Sequence, residues 1–215
     1  MSKTTWRDEY WLMVLEAYLK KPVGMKPLYS RVMVELSLEL HFNLHYLQSR
    51  MKQIALLSTP RIERIWNTYS NSPARLKRMV QLLRSMKGFG FADEFYDGVQ
   101  VEETFERDFR PLAEDSRFTP VMLILILDLY FQLAPSTMVE KTPEVAQLAK
   151  LMGLKASEVV EVLNMFQICD PYLERSEITL SPLLMPCQQV WQRMSELEPQ
   201  QLNKFADELK VYFTT

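Results

Sequence analysis

The chain has 215 residues, of which 47% are hydrophobic and five are glycine, with a formal net charge of −2 at pH 7. This composition favours a helical protein with a sizeable core, and it excludes a largely disordered chain and a turn-rich β protein. Two cysteines are too few for the disulfide framework of a small secreted scaffold. Arg7, Asp8 and Glu9 stand where a signal peptide needs an apolar run, so we expect a cytoplasmic protein.

Apolar stripes and proline punctuation predict ten helices in two groups of five. The first group covers 6–20, 28–41, 44–56, 60–70 and 73–87, and the second covers 118–133, 143–152, 156–167, 182–195 and 199–212. Ser72-Pro73 and Glu198-Pro199 suit helix starts, because proline at the first helical position loses no N–H that the helix needs.

The helix predicted at 118–133 is apolar nearly all round, which is typical of a helix buried on most sides. Its most apolar run, Val121 to Leu127, is closed by Asp128, and even extended to Leu133 it is shorter than the roughly 20 residues that a membrane span needs. We therefore expect a core helix and no contact with a membrane. The expected core positions are Leu123, Leu127 and Tyr130, with Leu15 and Tyr18.

The two groups of helices align with each other, which predicts an internal duplication. Residues 11–54 fall on 123–166 at a constant offset of 112, and the match resumes later with Trp66 on Trp191. Strict identities are few, so the prediction depends on matched apolar character at matched spacing. The alternative is that two unrelated amphipathic helical stretches share this spacing.

Residues 144–163 carry the pattern of two short helices joined by a tight turn. Ala149 is small enough for close helix approach, Gly153 can adopt the left-handed turn conformation, and Leu154 plugs the turn. In the first group His41 replaces the turn glycine. The pattern resembles the broad helix-turn-helix or winged-helix class. That resemblance implies a three-helix core in each repeat, serving either DNA binding or protein interaction.

The predicted fold class is therefore all-α, with two tandem related helical repeats. Each repeat has a helix-turn-helix-like tri-helical core and two further helices. Residues 169–180 contain the turn signal Asp170-Pro171 and a β-leaning stretch at 178–180. They form either a small wing-like hairpin or a loop in the second repeat.

Charge is distributed unevenly among the three segments that we predict. The N-terminal repeat, 1–87, has 15 Lys and Arg against 6 Asp and Glu, a net charge of +9. The acidic connection, 88–116, carries −7, and the C-terminal repeat, 117–215, carries −4. Clustered cations drive phosphate binding through counterion release. The alternative is a solvated surface, or one that docks the acidic connection.

The densest basic stretch, residues 50–87, overlaps the helix predicted at 44–56, which is the third helix of the first tri-helical core. The outward polar residues of this helix and the neighbouring cations form the predicted nucleic-acid-binding set: His45, Gln48, Ser49, Lys52, Arg61, Arg64, Arg75, Lys77 and Arg78. The matching helix of the second repeat turns Glu158 and Glu161 outward, and these carboxylates would repel phosphate. We therefore assign duplex DNA to the N-terminal repeat, and a protein partner or self-association to the C-terminal repeat.

No pattern in the chain predicts an enzyme, a metal site or a cofactor. His41 and His45 have the spacing of a helical metal pair, but Phe42 and Asn43 break that helix. Two histidines in all leave few groups for acid–base catalysis. We expect a nucleic-acid-binding regulatory protein or, alternatively, a non-enzymatic interaction scaffold. An enzyme with an unrecognised site is the third hypothesis.

Overall fold

The structure is a computed structural model that describes residues 6–86, 104–173 and 181–214. Over these residues it contains eleven α-helices, one short 3-10 helix and no strand, so the all-α prediction is confirmed there. The chain divides into two compact units, residues 1–103 (unit 1) and residues 104–214 (unit 2). None of the described helices is both long and apolar enough to cross a membrane.

The described helices of unit 1 are α1 (Tyr10–Leu19), α2 (Arg31–Leu40), α3 (Leu44–Ala55), α4 (Pro60–Tyr69) and α5 (Pro73–Ser85). Helix α1 is the centre of the unit and contacts each of the other four. Leu15 is 1% exposed, which confirms it as a core position. Tyr18 is half-buried, and its ring lies 5.9 Å from that of Trp66. Its assignment to the core is therefore only partly right.

The described helices of unit 2 are α6 (Thr104–Asp108), α7 (Pro120–Gln132), α8 (Pro143–Met152), α9 (Ala156–Cys169), α10 (Leu184–Met194) and α11 (Pro199–Thr214). Helix α7 contacts all four helices that follow it. Leu123, Leu127 and Tyr130 are at most 5% exposed, so these core predictions are confirmed.

Five of the described α-helices begin at proline, a residue that favours the first position of a helix. Proline presets a helical φ and lacks an N–H that would have no partner in the first turn. Before α4 and α7 a threonine precedes this proline. Thr59 accepts a hydrogen bond from the Ile62 N–H at 3.3 Å, and Thr119 accepts one from the Met122 N–H at 3.4 Å.

Only the second part of the predicted acidic connection, residues 104–116, lies among the described residues. Residues 104–116 belong to unit 2, where Glu106 and Phe109 are buried. The Phe109 ring lies 5.0 Å from that of Tyr212, and Asp108 forms an ion pair with Arg193 at 2.9 Å. This part of the segment therefore packs within unit 2 and is not a solvated linker. Residues 88–103 lie outside the described residues, as do 174–180 of the predicted hairpin or loop.

One pair of helices and one aromatic pair recur at aligned positions of the two units. Helices α2 and α8 differ by the predicted offset of 112 at both ends. The Tyr18 and Trp66 rings of unit 1 are 5.9 Å apart at an interplanar angle of 73°. The matching rings of unit 2, Tyr130 and Trp191, are 5.8 Å apart at 74°. The same edge-to-face contact thus joins α1 to α4 in unit 1 and α7 to α10 in unit 2.

Candidate nucleic-acid interface

The turn between α2 and α3 is held by side-chain hydrogen bonds. His41 occupies the left-handed conformation, with φ at 55°. The Ser37 hydroxyl donates to the Phe42 carbonyl oxygen at 2.5 Å. Asn43 caps α3 by accepting a hydrogen bond from the His45 N–H at 2.8 Å. The turn therefore has the conformation expected of glycine although a histidine occupies it.

Helix α3 has one apolar face and one polar face, as its periodicity predicts. Its buried residues are Leu44, Leu47, Met51 and Ile54. His45, Ser49 and Lys52 are exposed, and Gln48 is half-buried. These four lie three or four residues apart and so share one stripe of the helix. The Ser49 hydroxyl donates to the Tyr46 carbonyl oxygen at 2.7 Å, which leaves its own oxygen able to accept.

Several cations of the basic stretch hold unit 1 together. Arg84 donates to both carboxylate oxygens of Glu39, at 2.6 and 2.9 Å, and lies 3.6 Å from Glu16. This bidentate pair joins α5 to α2 and leaves Arg84 little freedom for another anion. Arg61, a predicted site residue, forms an ion pair with Asp8 at 2.7 Å. Both partners are more than half exposed, so this pair is weak and Arg61 stays accessible.

Arg50 is enclosed by aromatic rings. Its guanidinium carbon lies 4.8 Å from the Trp6 ring centroid, 5.5 Å from that of Trp11 and 4.7 Å from that of Tyr46. The guanidinium also donates to the Tyr46 hydroxyl and to the Gln53 side-chain oxygen. Since a cation is attracted to the negative face of each ring, Arg50 joins the start of the described chain to α3. It is a structural residue and is not free for phosphate.

We expect Arg50→Ala to lower the free energy of unfolding by about 1–3 kcal/mol, because three ring contacts and two hydrogen bonds are lost. Lys52→Ala removes a neighbouring cation that is exposed, and it should change stability by less than about 0.5 kcal/mol. Urea unfolding of the two variants checks this difference. Equal effects would contradict a structural role for Arg50.

Five predicted site cations are exposed and form no ion pair with any described residue: Lys52, Arg64, Arg75, Lys77 and Arg78. Two of them make weaker contacts. The Arg75 guanidinium lies 5.4 Å from the Tyr69 ring, and Arg64 donates to the Pro60 carbonyl oxygen at 3.3 Å. On α5, Arg75 and Arg78 are three residues apart and share a stripe, whereas Lys77 lies on the stripe of Arg84.

In the corresponding turn and helix of unit 2, α9, the polar side chains bond other residues of the same unit. Gly153 adopts the left-handed conformation with φ at 72°, as predicted. Glu158 accepts a hydrogen bond from the Lys155 N–H at 2.8 Å and forms an ion pair with Arg117. Glu161 accepts a hydrogen bond from the Ser181 hydroxyl at 3.2 Å. Both glutamates are half-buried, so the expectation that they face freely outward is corrected.

The described residues provide neither an activated thiol nor a metal cluster. Burial raises the pKa of Cys169 to about 11 and raises the pKa of Cys187 further. The thiolate is the nucleophilic form, and these environments disfavour it. No described group of three His, Cys, Asp or Glu residues is arranged to hold a metal ion.

No protein-family model, curated protein or solved structure matches this chain. The two units resemble each other at aligned positions around the turn between their two short helices. Ser37 and Ala149 occupy matched positions and are 1% and 2% exposed, as expected where two short helices approach closely. His41 and Gly153, also matched, share the left-handed conformation. Unit 1 and unit 2 differ instead in the charge that their α3 and α9 helices carry.

Proposed function

We propose that the chain is a regulatory nucleic-acid-binding protein whose unit 1 binds duplex DNA. The observation that carries this proposal is the set of five exposed cations on α3, α4 and α5 that form no ion pair with any described residue. Phosphate contacts supply most of the sequence-independent affinity for DNA, and they need cations that the protein does not neutralise itself. The polar stripe of α3 would then face the base edges.

The proposal includes a duplicated helix-turn-helix architecture. Matched boundaries of α2 and α8, matched left-handed turns and matched Tyr–Trp pairs support it. In this reading α3 is the recognition helix of unit 1. Its exposed stripe carries Lys52, whereas α9 of unit 2 contains no Lys or Arg. Because phosphate contacts need cations, we assign DNA binding to unit 1 alone.

A salt series tests the proposal. Binding to a short fluorescent duplex of random sequence is measured by anisotropy between about 50 and 200 mM salt. If the five cations contact about five phosphates, log affinity should fall against log salt with a slope of about −4 to −5, at roughly −0.9 per phosphate. No binding at the lowest salt, or affinity independent of salt, would contradict DNA binding.

Protein interaction is the second candidate, and exposed apolar side chains on α5 and just after it favour it. Leu82 is 55% exposed and Met86 is 54% exposed, and they lie one helical turn apart. An apolar stripe of this kind suits a partner helix or a second copy of the chain. Light scattering distinguishes self-association from a monomer. A monomer that binds duplex DNA with the expected slope would favour the first proposal.

A further inference from the structure

A groove with a volume of about 370 Å³ opens in unit 2 among α7, α8 and α11. Four leucines line its apolar part: Leu125, Leu129, Leu148 and Leu151. Asp128 and Lys210 are among its polar residues. The volume lies within the range of small-molecule sites, which combine an apolar lining with a few convergent polar groups.

Asp128 is a buried carboxylate that forms no ion pair with any described residue, although the Lys210 ammonium lies near enough to lower its pKa. It is 4% exposed on a helix that is otherwise almost wholly apolar. Asn203 Nδ2 donates to it only at 3.4 Å, and the Gln132 side chain acts with Asn203 to lower its pKa. The Lys210 ammonium instead bonds the Asp207 carboxylate at 2.8 Å. Burial raises the pKa of Asp128, which is the sign of a charge that its surroundings do not balance.

At the aligned positions, unit 1 has a cluster of ion pairs that unit 2 does not form among its described residues. There Glu16 lies 3.6 Å from Arg84, which also bridges to Glu39. The internal alignment places Asp128, Lys210 and Leu151 at these three positions of unit 2. A shorter acid and a shorter base replace their longer counterparts, and a leucine replaces the second carboxylate. The groove therefore lies where unit 1 has its salt-bridged cluster.

We propose that this groove binds a small organic cation, namely a primary amine with an aliphatic body. The ammonium group pairs with Asp128, and the hydrocarbon chain lies on the leucines. An anion is disfavoured because two carboxylates, those of Asp128 and Glu144, line the groove against the single ammonium of Lys210. Since no aromatic side chain is among the residues described around the groove, an aliphatic chain fits better than a planar ring. This site does not depend on DNA binding by unit 1.

Three probes of equal chain length test the proposal on the full-length protein: hexylamine, hexanol and hexanoate. Calorimetric titration should give a Kd for hexylamine at least about tenfold below that for either other probe, because a buried ion pair adds more than about 1.4 kcal/mol. Tighter or equal binding of hexanol would mean a purely apolar groove. Tighter or equal binding of hexanoate would mean an anion site. Either result overturns the proposal.

Variants then locate the ammonium group. Asp128→Asn keeps an acceptor for Asn203 but removes the charge, so hexylamine should bind at least about tenfold more weakly. Lys210→Arg supplies a guanidinium that can reach Asp128 as Arg84 reaches Glu16, and it should also weaken hexylamine. Glu16→Gln, the matched change in unit 1, should have no effect. Unchanged binding by Asp128→Asn, or by Lys210→Arg if the first variant does not fold, overturns the proposal.

Discussion

Replacing Leu127 with alanine is expected to lower the free energy of unfolding of unit 2 by about 2–5 kcal/mol. The Leu127 side chain is fully buried at 0% exposure, and it lies near the middle of α7. Because α7 contacts α8, α9, α10 and α11, the substitution removes buried atoms from the central helix of the unit. A close-packed interior relaxes only partly around such a cavity.

Leu197→Ala is the matched control, because it removes the same atoms from a side chain that is 38% exposed. We expect it to change stability by no more than about 0.5 kcal/mol. Urea unfolding followed by circular dichroism compares the two variants with the parent chain. Similar losses for Leu127→Ala and Leu197→Ala would show that α7 is not the centre of unit 2.

The helices were predictable from sequence because their signals are local. The boundaries of α8 are those predicted, since Pro143 opens the helix and Gly153 ends it in the left-handed conformation. The buried stripe of α3 follows from apolar spacing alone. Where the local signal is weak, the prediction was less accurate. The sequence predicts a first helix over 6–20, but α1 begins at Tyr10, and the Trp6 ring before it packs with the rings of Trp11 and Phe42.

The partners of charged side chains were not predictable, because they lie far apart in the chain. Arg84 and Glu39 are 45 residues apart, and Asp108 and Arg193 are 85 apart. Counting charges along the chain treats Arg50 and Arg84 as equivalent to Lys52. Their surroundings in the structure differ, because aromatic rings enclose Arg50 and a carboxylate binds Arg84, whereas Lys52 is exposed. The groove beside Asp128 is likewise invisible in sequence, because three separate helices form it.

Neutralising three of the exposed cations together is expected to weaken DNA binding by about 10²–10³-fold at about 100 mM salt. The variant combines Arg64→Gln, Arg75→Gln and Arg78→Gln. Each lost phosphate contact removes roughly 0.9 from the slope of log affinity against log salt. The slope should therefore flatten from about −4.5 to about −2. Since none of the three side chains is buried, the stability of unit 1 should change little.

A second triple variant separates a local interface from a general effect of net charge. Arg7→Gln, Lys20→Gln and Lys21→Gln remove the same three charges from exposed positions outside α3, α4 and α5. A duplex bound on α3, α4 and α5 contacts the cations of these helices directly, and such contacts add more to affinity than cations that no phosphate touches. The control should therefore keep most of the affinity and most of the slope. If both triple variants weaken binding equally, attraction is diffuse and the assignment to α3–α5 is wrong. If neither the parent chain nor the control binds duplex DNA at low salt, unit 1 is not a DNA-binding unit, and the exposed Leu82 and Met86 become the surface to test for a protein partner.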